Sequence, residues 1–192
     1  MKVGLFFGSF NPIHIGHLIV ARYWLNETDL DQLWLIVSPH NPHKAAQELA
    51  PAPHRLAMAR LAIQEDEQIH VSDIEFHLPT PSYTIHTLDR LQEQYPTHTW
   101  VLLFGSDTAN TLPTWRDGTT LLQKWPIWVY PRGEGILHIN PLPSHLQYFH
   151  EAPRVDLSAT QVRKYIHQRR SIRFLVPIPV ELYIREHGLY HS

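Results

Sequence analysis

His14 and His17 stand three residues apart where an apolar run gives way to a helical pattern, in the stretch Gly8-Ser9-Phe10-Asn11-Pro12-Ile13-His14-Ile15-Gly16-His17. Imidazoles donate hydrogen bonds to phosphate oxygens and carry partial positive charge, and a helix start presents amides that have no partner within the helix. Gly8 and Gly16 are expected to let the backbone approach a ligand closely, and Pro12 to fix the turn. The chemistry this set points to is a phosphate cradle. The same residues also suit a pair of structural polar loop positions, or a zinc site, because the two histidines have metal-ligand spacing.

Other chemistry-bearing residues fall at the ends of predicted elements. Lys44 lies in the loop Ser38-Pro39-His40-Asn41-Pro42-His43-Lys44, just beyond a predicted strand, and is either a solvated charge or a phosphate contact. Asp107, in Gly105-Ser106-Asp107 after another predicted strand, is either a helix cap or a partner for a sugar hydroxyl. Thr84 falls in the first turn of a predicted helix capped by Ser82. Trp115 sits between turn residues, where an indole serves as core or as a stacking platform. Ser158 is placed to cap a helix on which Thr160 and Arg163 share a face near the positive end, giving a second anion site or merely a capped helix with a surface arginine.

The elements that must hold these residues alternate. Strands are predicted at Val3–Phe7, Leu33–Val37, Ile69–Val71, Thr99–Phe104 and Trp125–Tyr130. Between and after them, helices are predicted from Leu18, from Pro53 to Gln64, after Ser82, after Ser158, and over Val176–His187, with Gly188 past its end. Residues 135–153 are rich in proline and histidine and are expected to be irregular, with at most one short strand. The alternation predicts an α/β fold: one Rossmann-like domain over residues 1–192 with a mainly parallel sheet flanked by helices.

Composition narrows the function classes. Sixteen Lys+Arg against 18 Asp+Glu give a net charge of −2, so there is no global basic field of the kind that drives nonspecific nucleic-acid binding. The 15 histidines are scattered along the chain, and with no cysteine neither disulfides nor thiolate metal sites exist. The N-terminal apolar run stops at Ser9 and contains the strongest motif, which argues against a leader peptide, and no apolar run approaches bilayer length. A soluble, cytoplasmic protein with no membrane partner is expected.

In order, GSFNPIHIGH, PHNPHK, HRLAMARLAI, Ser82-Tyr83-Thr84 with Thr87-Leu88, FGSD followed by Leu112 and Trp115, LSATQVR and VPIPVELYI resemble the bacterial nicotinate-nucleotide adenylyltransferase family of the nucleotidylyltransferase superfamily. The likeness runs almost from Lys2 to Tyr190. It implies transfer of AMP from ATP to nicotinate mononucleotide, with pyrophosphate released and Mg2+ arriving with ATP. It implies that His14, His17, Lys44 and Arg163 are catalytic, and that Gly8, Ser9, Phe10, Gly16, Ser158 and Thr160 bind ATP and its phosphates. Thr84, Asp107 and Trp115 are assigned to the nicotinate nucleotide and ribose. His86 and Ala159 depart from the pattern, which commonly has an acid and a serine there. Competing readings are a sister transferase (pantetheine-phosphate adenylyl- or a cytidylyltransferase), a noncatalytic nucleotide sensor and a histidine-based metal carrier. The sequence leaves self-association open.

Overall fold

A computed structural model describes residues 1–40 and 49–191. Six strands form one all-parallel sheet: β1 (Lys2–Gly8), β2 (Gln32–Val37), β3 (Ile69–Ser72), β4 (Thr99–Gly105), β5 (Ile127–Tyr130) and β6 (Leu146–Tyr148). Their order is β3-β2-β1-β4-β5-β6. The chain winds outward from β1 to β3, returns to place β4 beside β1, and winds outward the other way. The crevice at the carboxyl ends of β1 and β4 is therefore the point where the order reverses, the place where open α/β sheets take ligands.

Period-two alternation along the buried strands sends side chains into two apolar layers. Phe6, Leu33, Leu35, Val101 and Leu103 face one layer, covered by α1 (Ile15–Glu27), α2 (Ala52–Ala62), α6 (Ala159–His167) and α7 (Ile178–Glu186). Val3, Leu5, Ile36, Trp100, Leu102 and Phe104 face the other, covered by α3 (Thr84–Gln94), α4 (Ser106–Ala109) and α5 (Gly118–Lys124). No helix among the described residues is long and apolar enough to cross a membrane.

Two elements differ from the sequence reading. On α2 the residues fully buried are Arg55, Met58 and Ala59, whereas Leu56 and Ile63 of the expected stripe are only partly covered. Ser82 does not cap α3: Tyr83 is the capping residue, because the Ser82 hydroxyl donates to Glu75 at 2.7 Å. The short strand expected within 135–153 exists, and it closes the sheet edge by pairing Leu146 with Ile127.

The approach to α5 is a tight turn. Trp115 N–H donates to the Leu112 carbonyl and Gly118 N–H to the Trp115 carbonyl, each at 3.0 Å, while Asp117 takes a left-handed φ of 58°. A Cβ on Gly118 would collide with the Leu112 carbonyl oxygen, a backbone atom that cannot rotate away. Gly118→Ala is therefore expected to cost about 1–3 kcal/mol as overpacking. Urea unfolding would show a lower midpoint at unchanged slope, and a midpoint equal to that of wild type would contradict this packing.

Candidate functional site

The loop after β1 is held from four directions. Arg55 on α2, with 1% of its surface exposed, donates from Nη1 to the Ser9 and Ser38 carbonyls at 2.7 Å, from Nη2 to Pro39 at 2.6 Å and from Nε to Ala50 at 2.9 Å. The Asn11 side-chain oxygen accepts from Ala50 N–H at 3.0 Å and from the Tyr190 hydroxyl at 2.9 Å. Arg163 on α6 donates from Nη1 to the Asn11 carbonyl at 2.9 Å, and from Nη2 to Thr160 Oγ1 at 3.4 Å. Ser38 N–H donates to the Gly8 carbonyl at 3.0 Å.

The two glycines of the loop make room for its own rings. A Cβ on Gly8 would lie 2.9 Å from Phe10 Cζ, and one on Gly16 would lie 3.0 Å from His14 Nδ1 and 3.1 Å from Val155 Cγ1. Phe10 reaches that place through a left-handed φ of 44°, uncommon for a bulky residue, and its buried ring meets His17 edge-on at 5.1 Å.

His14 precedes α1 as its capping residue and His17 lies one turn in. The His14 N–H donates to His17 Nδ1 at 3.2 Å, and the two rings stack with centroids 3.7 Å apart. When His17 is neutral this hydrogen bond assigns its proton to Nε2. The stacked rings do not converge two lone pairs on one ion, and no group of three metal-ligating side chains forms among the described residues. That arrangement does not favour the zinc reading.

His14 is buried, and neither its ring nitrogens nor Ser9 Oγ finds a partner among the described residues. Such orphaned polar atoms are costly unless a ligand meets them. Burial first and the nearby Arg132 second lower the His14 pKa to about 4, so at neutral pH the ring is uncharged and donates from one nitrogen only. The folded state thus binds fewer protons here than the unfolded chain between pH 4 and 6.5, and acidification through that window withdraws stability. The neutral His14 ring therefore adds no full charge of its own, and the guanidinium of Arg132 lies close enough to act on it, while that of Arg163 is held at the same loop.

Across the crevice, Ser106 and Arg132 lock the ends of β4 and β5 together. The Ser106 hydroxyl donates to the Arg132 carbonyl at 2.9 Å, and Arg132 N–H donates back to Ser106 Oγ at 3.0 Å. Asp107 lies within the first turn of α4, whose capping residue is Gly105, so it is not the helix cap; it accepts from Thr108 N–H at 2.8 Å and lies 3.6 Å from the Arg132 guanidinium, a place compatible with a partner for a sugar hydroxyl. Thr84 opens α3. Its position is set by Glu75, which is buried and accepts from Ser82 and Thr87 hydroxyls at 2.7 and 2.9 Å. Burial raises the Glu75 pKa, and the hydrogen bonds from Ser82, Ser38 and Thr87 oppose that rise. Half-buried Trp115 packs edge-on against Phe104 at 5.7 Å, with its indole N–H on Thr111 Oγ1 at 2.9 Å. The Arg116 guanidinium lies 4.7 Å from the centre of the Tyr83 ring, which joins the Trp115 segment to the start of α3.

The structure thus gathers Gly8, Ser9, Phe10, His14, Gly16, His17, Thr160 and Arg163 at one edge of the crevice, and brings the Thr84 and Trp115 segments together. Ser158 Oγ accepts from Gln161 N–H at 3.2 Å and is engaged as the α6 cap. Lys44 lies outside the described residues. Sequence reasoning missed Arg55, Glu75, Arg116 and Arg132. Arg55 lay inside a quoted motif and Arg116 directly follows Trp115, so both signals were present; nothing local marked Glu75 or Arg132.

The cytidylyltransferase-like family model matches residues 5–165. A probable nicotinate-nucleotide adenylyltransferase of Flavobacterium johnsoniae is 42% identical over 191 residues, covering 99% of each chain. One of Porphyromonas gingivalis, also called probable, is 42% identical over 179 residues, covering 93% of this chain and 91% of that one. The structure of Plasmodium falciparum nicotinic acid mononucleotide adenylyltransferase complexed with NaAD superposes with a TM-score of 0.81 over 98% of this chain and 97% of that one; at 20% identity this likeness speaks for the fold. Motif order, sheet topology and full-length identity agree: the chain belongs to the nicotinate-nucleotide adenylyltransferase family, within the cytidylyltransferase-like group.

Proposed function

We propose that this protein joins nicotinate mononucleotide to the AMP part of ATP, giving nicotinate adenine dinucleotide and pyrophosphate in NAD biosynthesis. The observation that carries the reading is the buried loop with orphaned His14 nitrogens, held at the β1/β4 crevice by Arg163, in a chain 42% identical over its whole length to a relative of that name. One domain performs the reaction, in the cytoplasm.

A phosphate oxygen of nicotinate mononucleotide attacks the α-phosphorus of ATP. The new P–O bond forms as the bond from the α-phosphorus to the oxygen bridging to the β-phosphate breaks, and pyrophosphate departs with that electron pair. The nucleophile is already anionic, so no base is needed to create it. The protein's task is positioning and neutralisation. His14, His17 and the α1 amides contact the ATP phosphates, and Arg163 adds fixed charge with Thr160 beside it. Lys44 acts with them by resemblance. Ser9 and Ser158 supply hydroxyls, Asp107 meets a ribose, and Trp115 stacks the pyridine. The imidazole, guanidinium and amide donors around the loop suit anionic oxygens and not a cation, which fits Mg2+ carried by the triphosphate itself. Bound there, the ion would offset charge on the phosphates.

Pyrophosphate release, measured with ATP and each of nicotinate mononucleotide, its amide counterpart and pantetheine phosphate, tests the reading. Release with none of them would support the nucleotide sensor. Nicotinate mononucleotide is expected to be preferred over the amide by at least about tenfold in kcat/KM, roughly 1.4 kcal/mol, because donors at the α3 start suit a carboxylate that only accepts. Competition under limiting ATP checks this, and equal use or preference for the amide would defeat it.

His17→Ala removes a ring that also takes part in the α1 cap, so a stability loss of about 1 kcal/mol is expected. Turnover should fall far more, by about 100- to 1000-fold, the cost of one lost transition-state donor. Turnover within a few-fold of wild type would place His17 outside the reaction site.

A further inference from the structure

We infer that the Arg116 side chain is the charge that selects a pyridine carboxylate over a carboxamide in this protein. The inference rests on the reaction proposed above and deepens it, adding a residue to the selection there ascribed to helix-start donors.

The geometry begins with the turn that carries Arg116. Gly118 packed on the Leu112 carbonyl, the Trp115–Leu112 hydrogen bond and the left-handed Asp117 fix the backbone on both sides of it. Arg116 is thereby the residue after the stacking candidate Trp115, and it projects onto Tyr83, the residue before Thr84. Its guanidinium sits 4.7 Å from the Tyr83 ring centre, and His86 meets the same ring edge-on at 5.8 Å. The ring is a platform that holds the cation at the amino end of α3.

A structural role accounts for little of this. The Arg116 side chain is 58% exposed, its one ion-pair neighbour among the described residues is Asp117 at 3.9 Å, and Asp117 is itself 48% exposed. Exposed pairs of that kind contribute little to folding. The five guanidinium N–H donors form no hydrogen bond to the described residues, although the planar fork matches a carboxylate. A carboxylate arriving at the α3 start meets the first-turn amides from one side and the guanidinium from the other. A carboxamide at the same place brings a single acceptor oxygen and an N–H group that neither can accept, and it carries no net charge for the guanidinium to meet. The rest of the two mononucleotides is identical, so this contact separates them while the phosphate and ribose contacts cannot.

The test uses the whole chain as wild type, Arg116→Gln and Arg116→Lys, with ATP fixed and saturating and each mononucleotide varied in turn. Arg116→Gln is expected to lower kcat/KM for nicotinate mononucleotide by about 10- to 100-fold. The loss should fall mainly on KM, with the amide mononucleotide within about twofold of wild type and the melting temperature unchanged. Arg116→Lys keeps the charge without the fork and should fall between. An unchanged ratio of the two specificity constants, whether both fall together or neither does, would overturn the assignment of Arg116 while leaving the proposed reaction standing. A wild-type protein that adenylylates neither mononucleotide would instead bring down the proposed reaction, and this assignment with it.

Discussion

Arg55 carries a positive charge into the interior at the crevice floor, and among the described residues no carboxylate meets it. Its compensation is four carbonyl oxygens, those of Ser9, Ser38, Pro39 and Ala50, drawn from the β1–α1 loop, the end of β2 and the approach to α2. A buried cation is tolerated only when its donors are satisfied, so these three segments must keep one mutual arrangement for the charge to remain inside. The loop that carries His14 and His17 inherits that rigidity. Asn11 adds to it, accepting from Ala50, Tyr190 and Arg163, and so ties the C-terminal residues and α6 to the same loop.

A loop fixed in this way can leave polar atoms unpaired without collapsing onto them. The His14 nitrogens and Ser9 Oγ are buried and orphaned among the described residues, and burial keeps the His14 ring neutral down to about pH 4. The cost of holding them in that state is met in advance by the carbonyl clamp and by the ring packing of Phe10 beneath Gly8. Donors held in place before the reaction lose no free energy to reorganisation when charge moves onto the departing group, which is how such a site stabilises phosphoryl charge without a catalytic base. Arg163 belongs to both systems, since the guanidinium proposed above to meet the phosphates also braces the Asn11 carbonyl.

Much of the scaffold was legible in the sequence because its signals are local. The apolar runs before Gly8 and Gly105 declare buried parallel strands, and Ser158 three residues before Gln161 declares the α6 cap. The likeness of the whole chain to one family supplied the rest of the order. What could not be read is what depends on distant partners. Ser82 has the type and place of a helix cap, yet a buried Glu75 takes its hydroxyl, and Tyr83 caps in its stead. Arg55 looks like one more polar residue on α2 until four carbonyls close on it. Nor could the glycines at 8 and 16 show that a Cβ there would meet Phe10 and His14, rings two residues away on the same loop. Arg132 is placed near His14 only by the pairing of β5 with β4, which no local pattern reveals.

If this clamped loop is the seat of the triphosphate, the His14 ring reports on it directly. Its pKa, about 4 in the unliganded fold, should rise when phosphate charge settles beside it, because a nearby anion favours the protonated form. Nitrogen-resolved NMR titration of the labelled imidazoles, with and without a nonhydrolysable ATP analogue and magnesium, measures that change. Binding is expected to shift the His14 titration upward and to perturb the His17 ring resonances. A bound analogue that leaves both rings titrating as they did before would contradict it.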